Sequence, residues 1–125
     1  MEQSVEILLV NWGQDLVGIA AEGTKALERV SEDEELPALL ECAGLKREEE
    51  TQHPVVLTVQ LDKSRHRYEI PRPTALVELP IKQMRPFPKL LRPLIKMKGL
   101  AALIPYHGTV VPVFDPTVIT KELSS

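Results

Sequence analysis

Val110-Val111-Pro112-Val113-Phe114-Asp115 is a short apolar segment that directly follows the turn-like residues Tyr106-His107-Gly108-Thr109. Its continuous apolar character and its β-branched residues predict a buried strand over residues 110–114. Pro112 has no main-chain N–H, so we expect this strand to lie at a sheet edge or at a bulge. Asp115 and the proline after it predict a capped helical turn at the C-terminus.

The chain upstream of this segment has the same pattern of short apolar runs bounded by turn residues. Further strands are predicted at Val5–Asn11, Leu16–Ala20, Val55–Leu61, Arg67–Ile70 and Ile95–Ile104. The segments Lys25–Val30 and Thr74–Leu79 fit either a short helix or a strand. A helix is predicted to start near Pro37, with the proline at its first position, and its apolar stripe is Leu36, Leu39, Leu40 and Ala43. Turn signals roughly every ten residues favour an all-β barrel or sandwich over a parallel sheet.

A weak internal repeat supports this interpretation. Ile7–Val30 and Val56–Leu79 share one plan, in which a hairpin is followed by a short segment that contains Ala-Leu. A repeat of half the chain length suggests two similar β units packed together. The charged residues 46–53 predict a connector between them. Pro86, Pro88 and Pro93 predict an extended loop over Gln83–Pro93 with Phe87 near its middle.

The composition indicates one ordinary globular domain. The chain has 125 residues, of which 43% are apolar and only 4% aromatic, so the core is expected to be aliphatic. Residues 1–52 carry 13 acidic and 4 basic side chains, whereas residues 53–125 carry 5 acidic and 11 basic ones. One cysteine, no signal-like N-terminus and no membrane-length apolar run favour the cytoplasm.

No pattern of catalytic residues stands out. The three histidines, His53, His66 and His107, lack metal-ligand spacing to one another or to Cys42. The acidic runs fall in polar loops, and no glycine-rich phosphate loop occurs. We therefore predict a protein that is not an enzyme and has no metal and no cofactor, and we take His107 as a turn residue first.

A basic stretch leaves a second function open. Phe87 lies within Lys82–Lys98, whose cationic residues are Lys82, Arg85, Lys89, Arg92, Lys96 and Lys98. Basic side chains interleaved with an aromatic residue are typical of grooves that bind single-stranded nucleic acid. One aromatic is a poor stacking platform and the net charge is −3, so this is the less favoured alternative.

The C-terminal half also resembles a known family, the CheW-like domain, which occurs in chemotaxis coupling proteins and as the regulatory domain of the kinase CheA. The matching features follow one another in the family's order. They are the strand Val55–Leu61, Tyr68-Glu69-Ile70-Pro71, a helix ending in Val-Glu at Ala75-Leu76-Val77-Glu78, the proline-rich loop Gln83–Pro93, the strand Leu100–Ile104, Gly108, and Val110–Asp115. The resemblance is weaker before residue 46, where only an opening hairpin and a closing helix match.

This resemblance implies an all-β fold of two small packed β-barrel-like subdomains with short helices. We expect a single domain over residues 1–125, with a reduced first half at 5–45, the connector at 46–53 and a fuller second half at 54–122. The reduced half lacks its own glycine turn and V-V-P-V strand, and a second copy of the chain could complete it as a homo-oligomer.

The resemblance further implies an adaptor that joins a CheA-like histidine kinase to chemoreceptors without inserting into the membrane. Interfaces favour apolar anchors. The partner-binding residues predicted on this basis are Phe87, Ile104, Tyr106, His107, Gly108 and Val111. His107 stands where the family usually has arginine. The alternative is that the apolar members other than Phe87 belong to the core.

Overall fold

The computed structural model describes residues 3–22, 24–30, 35–47, 53–86 and 97–124, and the structural statements below concern these residues. They form nine strands, two α-helices and one 3-10 turn at Ile81–Gln83. The elements are β1 (Ser4–Trp12), β2 (Asp15–Ala20), β3 (Thr24–Arg29), α1 (Leu39–Cys42), β4 (Val55–Leu61), β5 (Ser64–Ile70), β6 (Ala75–Pro80), β7 (Arg85–Pro86), β8 (Leu100–Tyr106), β9 (Thr109–Phe114) and α2 (Pro116–Ser124).

The strands form two sheets. A six-stranded sheet has the order β6-β1-β2-β9-β8-β7 and curls into a half-barrel, and a three-stranded sheet has the order β3-β4-β5. The predicted all-β fold with few short helices is therefore confirmed. The segments at 25–30 and 74–79, which fitted either a helix or a strand, are strands, and both lie at sheet edges.

The internal repeat is visible as two equivalent hairpins, β1-β2 and β4-β5, each followed by a third strand. The third strands are exchanged between the units. β3 pairs with β4, and β6 pairs with β1, both in antiparallel register. Each unit therefore supplies a strand to the sheet of the other.

The division of the chain into halves does not coincide with the division into sheets. The hairpin β8-β9 belongs to the predicted second half, yet β9 pairs in parallel with β2 of the first hairpin. The smaller sheet is the one that holds β4 and β5. Its outer strand β5 meets Ala38 in a parallel bridge at Glu69, and α1 follows directly.

The core of the described residues consists of two mainly aliphatic clusters on opposite faces of the half-barrel. One lies inside the curl and is formed by Ile7, Leu9, Ala102, Ile104, Val111 and Val113. The other lies between the two sheets and the helices, and it includes Val10, Ile19, Leu39, Leu57, Phe114 and Ile119. Adjacent residues at Leu9-Val10 and at Val113-Phe114 are buried on opposite faces, so the middle of β1 and the end of β9 are apolar runs in the sequence.

The C-terminal helix α2 begins as predicted. The Thr117 N–H donates to Asp115 Oδ1 at 2.9 Å, so Asp115 caps the helix. A buried hydrogen bond of 2.8 Å joins Tyr68 Oη on β5 to Thr120 Oγ1 on α2. Burial raises the pKa of the Tyr68 hydroxyl, and the hydrogen bond to Thr120 opposes that rise.

Candidate partner-binding groove

The turn between β8 and β9 contains three of the residues predicted to bind a partner. Tyr106 pairs with Thr109, and the two turn residues have positive φ, 48° at His107 and 81° at Gly108. Two consecutive positive φ values are typical of the hairpin turn that matches strand twist, and glycine adopts them without strain. His107 and Gly108 are exposed, and the His107 ring lies 4.2 Å from the Tyr106 ring between centroids.

Two other predicted anchors are in the core. Ile104 is 0% exposed and Val111 is 1% exposed, and both pack inside the curl of the half-barrel. The reason is the pleat: on β9, alternate side chains point to opposite faces, so Val111 points inward while Val110 is 67% exposed. The prediction that Ile104 and Val111 are surface anchors is therefore corrected to a core role, and Val110 takes the surface position.

Phe87 lies outside the described residues, and so do Lys89, Arg92 and Lys96 of the basic stretch. The described cations at its two ends, Lys82 and Lys98, are exposed. The described structure therefore does not test the nucleic-acid alternative.

An open apolar groove of about 650 Å³ lies beside the N-terminal parts of β2 and β9. Val17, Val111 and Phe114 are the buried members of its lining, while Val110 and Met97 are exposed. Its lining is mainly apolar, and consists of Trp12, Leu16, Val17, Leu45, Met97, Leu100, Leu103, Val110, Val111, Pro112 and Phe114, with Gln14, Asp15 and Thr109 as polar members.

The ladder between β2 and β9, which runs beside the groove, is short. Both strands have six residues, yet only Gly18–Val113 and Ile19–Phe114 are paired. Pro112 comes directly before the first paired residue of β9 and has no N–H with which to continue the ladder. Pro112 is thus in an internal strand, between β2 and β8, and the predicted edge position is corrected.

One wall of the groove is held in place by contacts with the loop after α1. Trp12 Nε1 donates to the Lys46 carbonyl oxygen at 2.9 Å, and the Arg47 guanidinium lies 5.8 Å from the centre of the Trp12 ring. The Lys98 N–H donates to the Ala43 carbonyl oxygen at 2.8 Å. Leu45 and Met97 are therefore positioned as a fixed apolar wall, and the cations Lys46 and Lys98 flank it.

The ionisable residues around the groove do not suggest a reactive centre. Burial raises the pKa of the Cys42 thiol, with a further contribution from Glu41, which favours the unreactive thiol over the thiolate. Among residues 3–22, 24–30, 35–47, 53–86 and 97–124, no group of three His, Cys, Asp or Glu side chains could hold a metal ion. What the groove offers chemically is apolar surface with a polar margin, which is the composition of a binding site for another molecule.

Comparison with known proteins identifies the fold. No protein-family model matches the sequence, and no curated protein matches it. Among solved structures, the chain is similar to the scaffolding protein TtCheW from Thermoanaerobacter tengcongensis, with a TM-score of 0.65. The similarity covers 90% of this chain and 89% of that one, at 8% sequence identity. The chain has the CheW fold.

The CheW fold confirms the family resemblance at the level of architecture. The groove itself was not predicted from the sequence. Two residues could have indicated an exposed apolar site in the sequence. Trp12 is the single tryptophan and lies beside a hairpin turn, and Val110 begins a pair of adjacent valines on one strand. One sheet face cannot bury both valines, so part of this apolar surface is expected to stay exposed. No helix in the part of the chain that the structure describes is long and apolar enough to cross a membrane.

Proposed function

We propose that this chain is a non-enzymatic adaptor that couples a CheA-like histidine kinase to chemoreceptors or to a related signalling array. The observation that carries the proposal is an exposed apolar groove on a fold shared with a scaffolding protein. Apolar side chains left accessible on an otherwise packed domain are characteristic of protein-binding sites.

The groove and the neighbouring turn form one continuous surface in this proposal. Val110 lies two residues after Gly108, the last residue of the β8-β9 turn, and lines the groove. Tyr106 and His107 form an aromatic pair in that turn, and Tyr106 packs partly against the cluster inside the curl. Aromatic residues beside aliphatic ones are the composition that interface centres favour.

The test is retention of a purified CheA-like kinase and of a chemoreceptor cytoplasmic fragment on the immobilised chain at moderate salt. Val110→Asp places a charge in the groove at an exposed position, so the fold is kept while apolar contact is lost. We expect retention to fall by roughly tenfold or more, as for the loss of an interface anchor.

Leu76→Asp is the matched control, because Leu76 is 60% exposed on the edge strand β6 and does not line the groove. It is expected to bind as the unmodified chain does. Retention of neither protein, together with oligonucleotide binding that weakens steeply with salt, would contradict the adaptor role and favour the nucleic-acid alternative.

A further inference from the structure

Strand β6 lies at one end of the six-stranded sheet, next to β1. The Ile81 N–H, directly after the strand, donates to the Gln3 carbonyl oxygen at 2.9 Å, and hydrogen-bonded pairs alternate along an antiparallel ladder from there. In the register of the two strands, the odd-numbered residues of β6 therefore bond to β1, whereas the N–H and C=O of Leu76 and Glu78 point away from it. Among the residues that the structure describes, no main-chain group pairs with this outer edge.

The other sheet edges are protected in ways that β6 is not. Natural sheets block their edges with charges, bulges, proline, short strands or a covering segment. β3 has the exposed residues Glu28 and Arg29 and an irregular register, β7 has only two residues, one of them proline, and the edge of β5 meets Ala38. β6 has one charged residue, Glu78, and its Oε1 accepts a hydrogen bond from Ser4 Oγ on β1. This carboxylate is therefore held toward β1, and the outer edge of β6 stays open to another strand.

Both faces of β6 have apolar surface that its own chain covers incompletely. On the outer face, Leu76 is 60% exposed. On the inner face, Ala75, Val77 and Leu79 pack at the margin of the cluster inside the curl and are only half-buried. An added strand would cover apolar side chains on both faces and would also bond to the outward main-chain groups.

A second copy of the chain fits this edge in one register. Two antiparallel β6 strands bond through their outer edges only where outward residues lie opposite each other. With Leu76 opposite Glu78 of the second copy, the outward N–H groups of both residues are bonded in both copies, and the pair is two-fold symmetric. A shift by two residues in one direction brings Leu76 opposite Pro80, which has no N–H. A shift in the other direction brings Glu78 opposite Thr74, whose N–H already donates to the Leu9 carbonyl oxygen.

The same register matches apolar side chains across the two copies. On the inner face, Val77 lies opposite Val77 of the second copy, and Ala75 lies opposite its Leu79. On the outer face, Leu76 lies opposite Glu78. The paired strands are therefore apolar on the face that each copy leaves half-buried, and closed two-fold pairs of this kind are the commonest form of homo-oligomer.

We propose that two copies of the chain associate through their β6 strands, which pair antiparallel with Leu76 of each copy opposite Glu78 of the other. This self-association goes beyond the proposed adaptor role and does not depend on it. The interface is one strand wide and smaller than a standard protein interface, so we expect a dissociation constant on the order of 10 μM.

Sedimentation velocity of the full chain tests the association, and amide hydrogen exchange followed by NMR locates it. The sedimenting mass is expected to rise from one chain to two between roughly 1 μM and 1 mM. The Leu76 and Glu78 amides should exchange roughly fivefold more slowly at about 1 mM than at about 10 μM, while the Val77 amide, which bonds to β1, is protected at both. A chain that stays monomeric over this range, or a dimer in which the Leu76 and Glu78 amides still exchange fast, overturns the inference.

A charge exchange between Leu76 and Glu78 tests the register. Leu76→Lys faces Glu78 of the second copy with an opposite charge, whereas Leu76→Glu faces it with a like charge, so the lysine variant should dimerise about tenfold more tightly. Adding Glu78→Lys to Leu76→Glu restores opposite charges and should recover about tenfold in affinity. Lys63→Glu, in the exposed β4-β5 turn, is the control and should dimerise as the unmodified chain does. Equal dissociation constants for the three β6 variants contradict the register.

Leu76→Pro separates the edge from the rest of the fold. It removes an outward N–H without removing a bond to β1, so the monomer is expected to fold and to lose self-association. Leu76→Asp should likewise be monomeric while it still retains the kinase and the receptor fragment. If the Leu76 and Glu78 amides are protected only when one of those proteins is added, the edge binds a strand of that partner and the second copy is wrong. If the chain dimerises through β6 but retains neither protein, the self-association stands and the adaptor role is wrong.

Discussion

Val110 and Val111 are a matched pair for testing the structure, because neighbouring valines on one strand have opposite environments. Val111 is 1% exposed and packs with Ile7, Leu9 and Ile104, whereas Val110 is 67% exposed. Replacing each by alanine removes the same two methyl groups and the same strand propensity. The difference between the two variants therefore isolates the free energy of burial at Val111.

The expected magnitude follows from the buried carbon that is lost. Two carbon atoms at about 0.8 kcal/mol each, with an added contribution from the cavity that remains, give roughly 2–3 kcal/mol for Val111→Ala. For Val110→Ala the change in the free energy of unfolding is expected to stay below about 0.5 kcal/mol apart from strand propensity, as at other exposed sites. In a domain of this size, the melting temperature of Val111→Ala falls by roughly 6–15 °C.

Urea denaturation followed by circular dichroism measures both variants, and the fluorescence of Trp12 provides a second probe of the same transition. Equal m-values are needed for the midpoints to be compared as stabilities. Binding of the kinase and the receptor fragment should fall for Val110→Ala, because this side chain is exposed in the groove. A Val111→Ala variant of unchanged stability that loses binding would restore Val111 as a surface anchor and refute the observed pleat.

Three further changes test the packing of the two sheets and α2. Gly99→Ala would place a Cβ too close to Ile119 Cγ1, at a residue whose φ is 76°. Thermal unfolding should therefore show that the free energy of unfolding falls by about 2 kcal/mol or more. An unchanged midpoint would contradict this close contact. Tyr68→Phe removes the buried hydrogen bond to Thr120 and is expected to cost about 1 kcal/mol at neutral pH. Burial raises the pKa of Tyr68, so its stabilising effect is complete below pH about 10 and is lost as pH rises through the folded-state pKa. Denaturation at several alkaline pH values should therefore show a smaller decrease in the free energy of unfolding for the phenylalanine variant than for the unmodified chain. Asp115→Ala removes the cap of α2 and should cost about 1 kcal/mol in urea denaturation, whereas Asp115→Asn should retain most of it.

Features that depend on a few neighbouring residues were predictable from the sequence. Strand β4 has the predicted bounds, Val55–Leu61, because its alternation is regular and turn residues bound it. The Asp115 cap and the turn at His107-Gly108 were also predicted, since each is a property of two or three adjacent residues. The fold class followed from the number and spacing of such elements together with the family resemblance.

Features that depend on which strands meet were not predictable in the same way. The hairpins β1-β2 and β4-β5 are repeats, so the outer edges of β2 and β5 are equivalent candidates for the hairpin β8-β9. Local sequence cannot choose between them. In the structure β9 pairs with β2, and the edge of β5 instead meets the chain before α1, where the Glu69 N–H donates to the Pro37 carbonyl oxygen at 2.9 Å.

The candidate site depended on this choice of edge. Ile104 and Val111 have the composition of interface anchors, and their burial follows from the curl of the six-stranded sheet, which closes over the inward face of β8 and β9. The exposure of Val110 follows from the same curl. The turn residues Tyr106, His107 and Gly108 could be located from the sequence because a tight turn is exposed whichever sheet the hairpin joins.

Proline in an internal strand is costly unless its missing N–H faces a position where no bond is made. The register of β8-β9 places both of the hairpin's prolines, Pro105 and Pro112, with their nitrogen atoms pointing away from the opposite strand, so the hairpin keeps all its own hydrogen bonds. The cost of Pro112 then falls entirely on the ladder with β2. A valine at position 112 would fill similar space and let the ladder run on toward Leu16. The specific effect of the proline is therefore to withhold the one ladder donor that another residue at position 112 would offer to the Leu16 carbonyl, inside an otherwise continuous sheet.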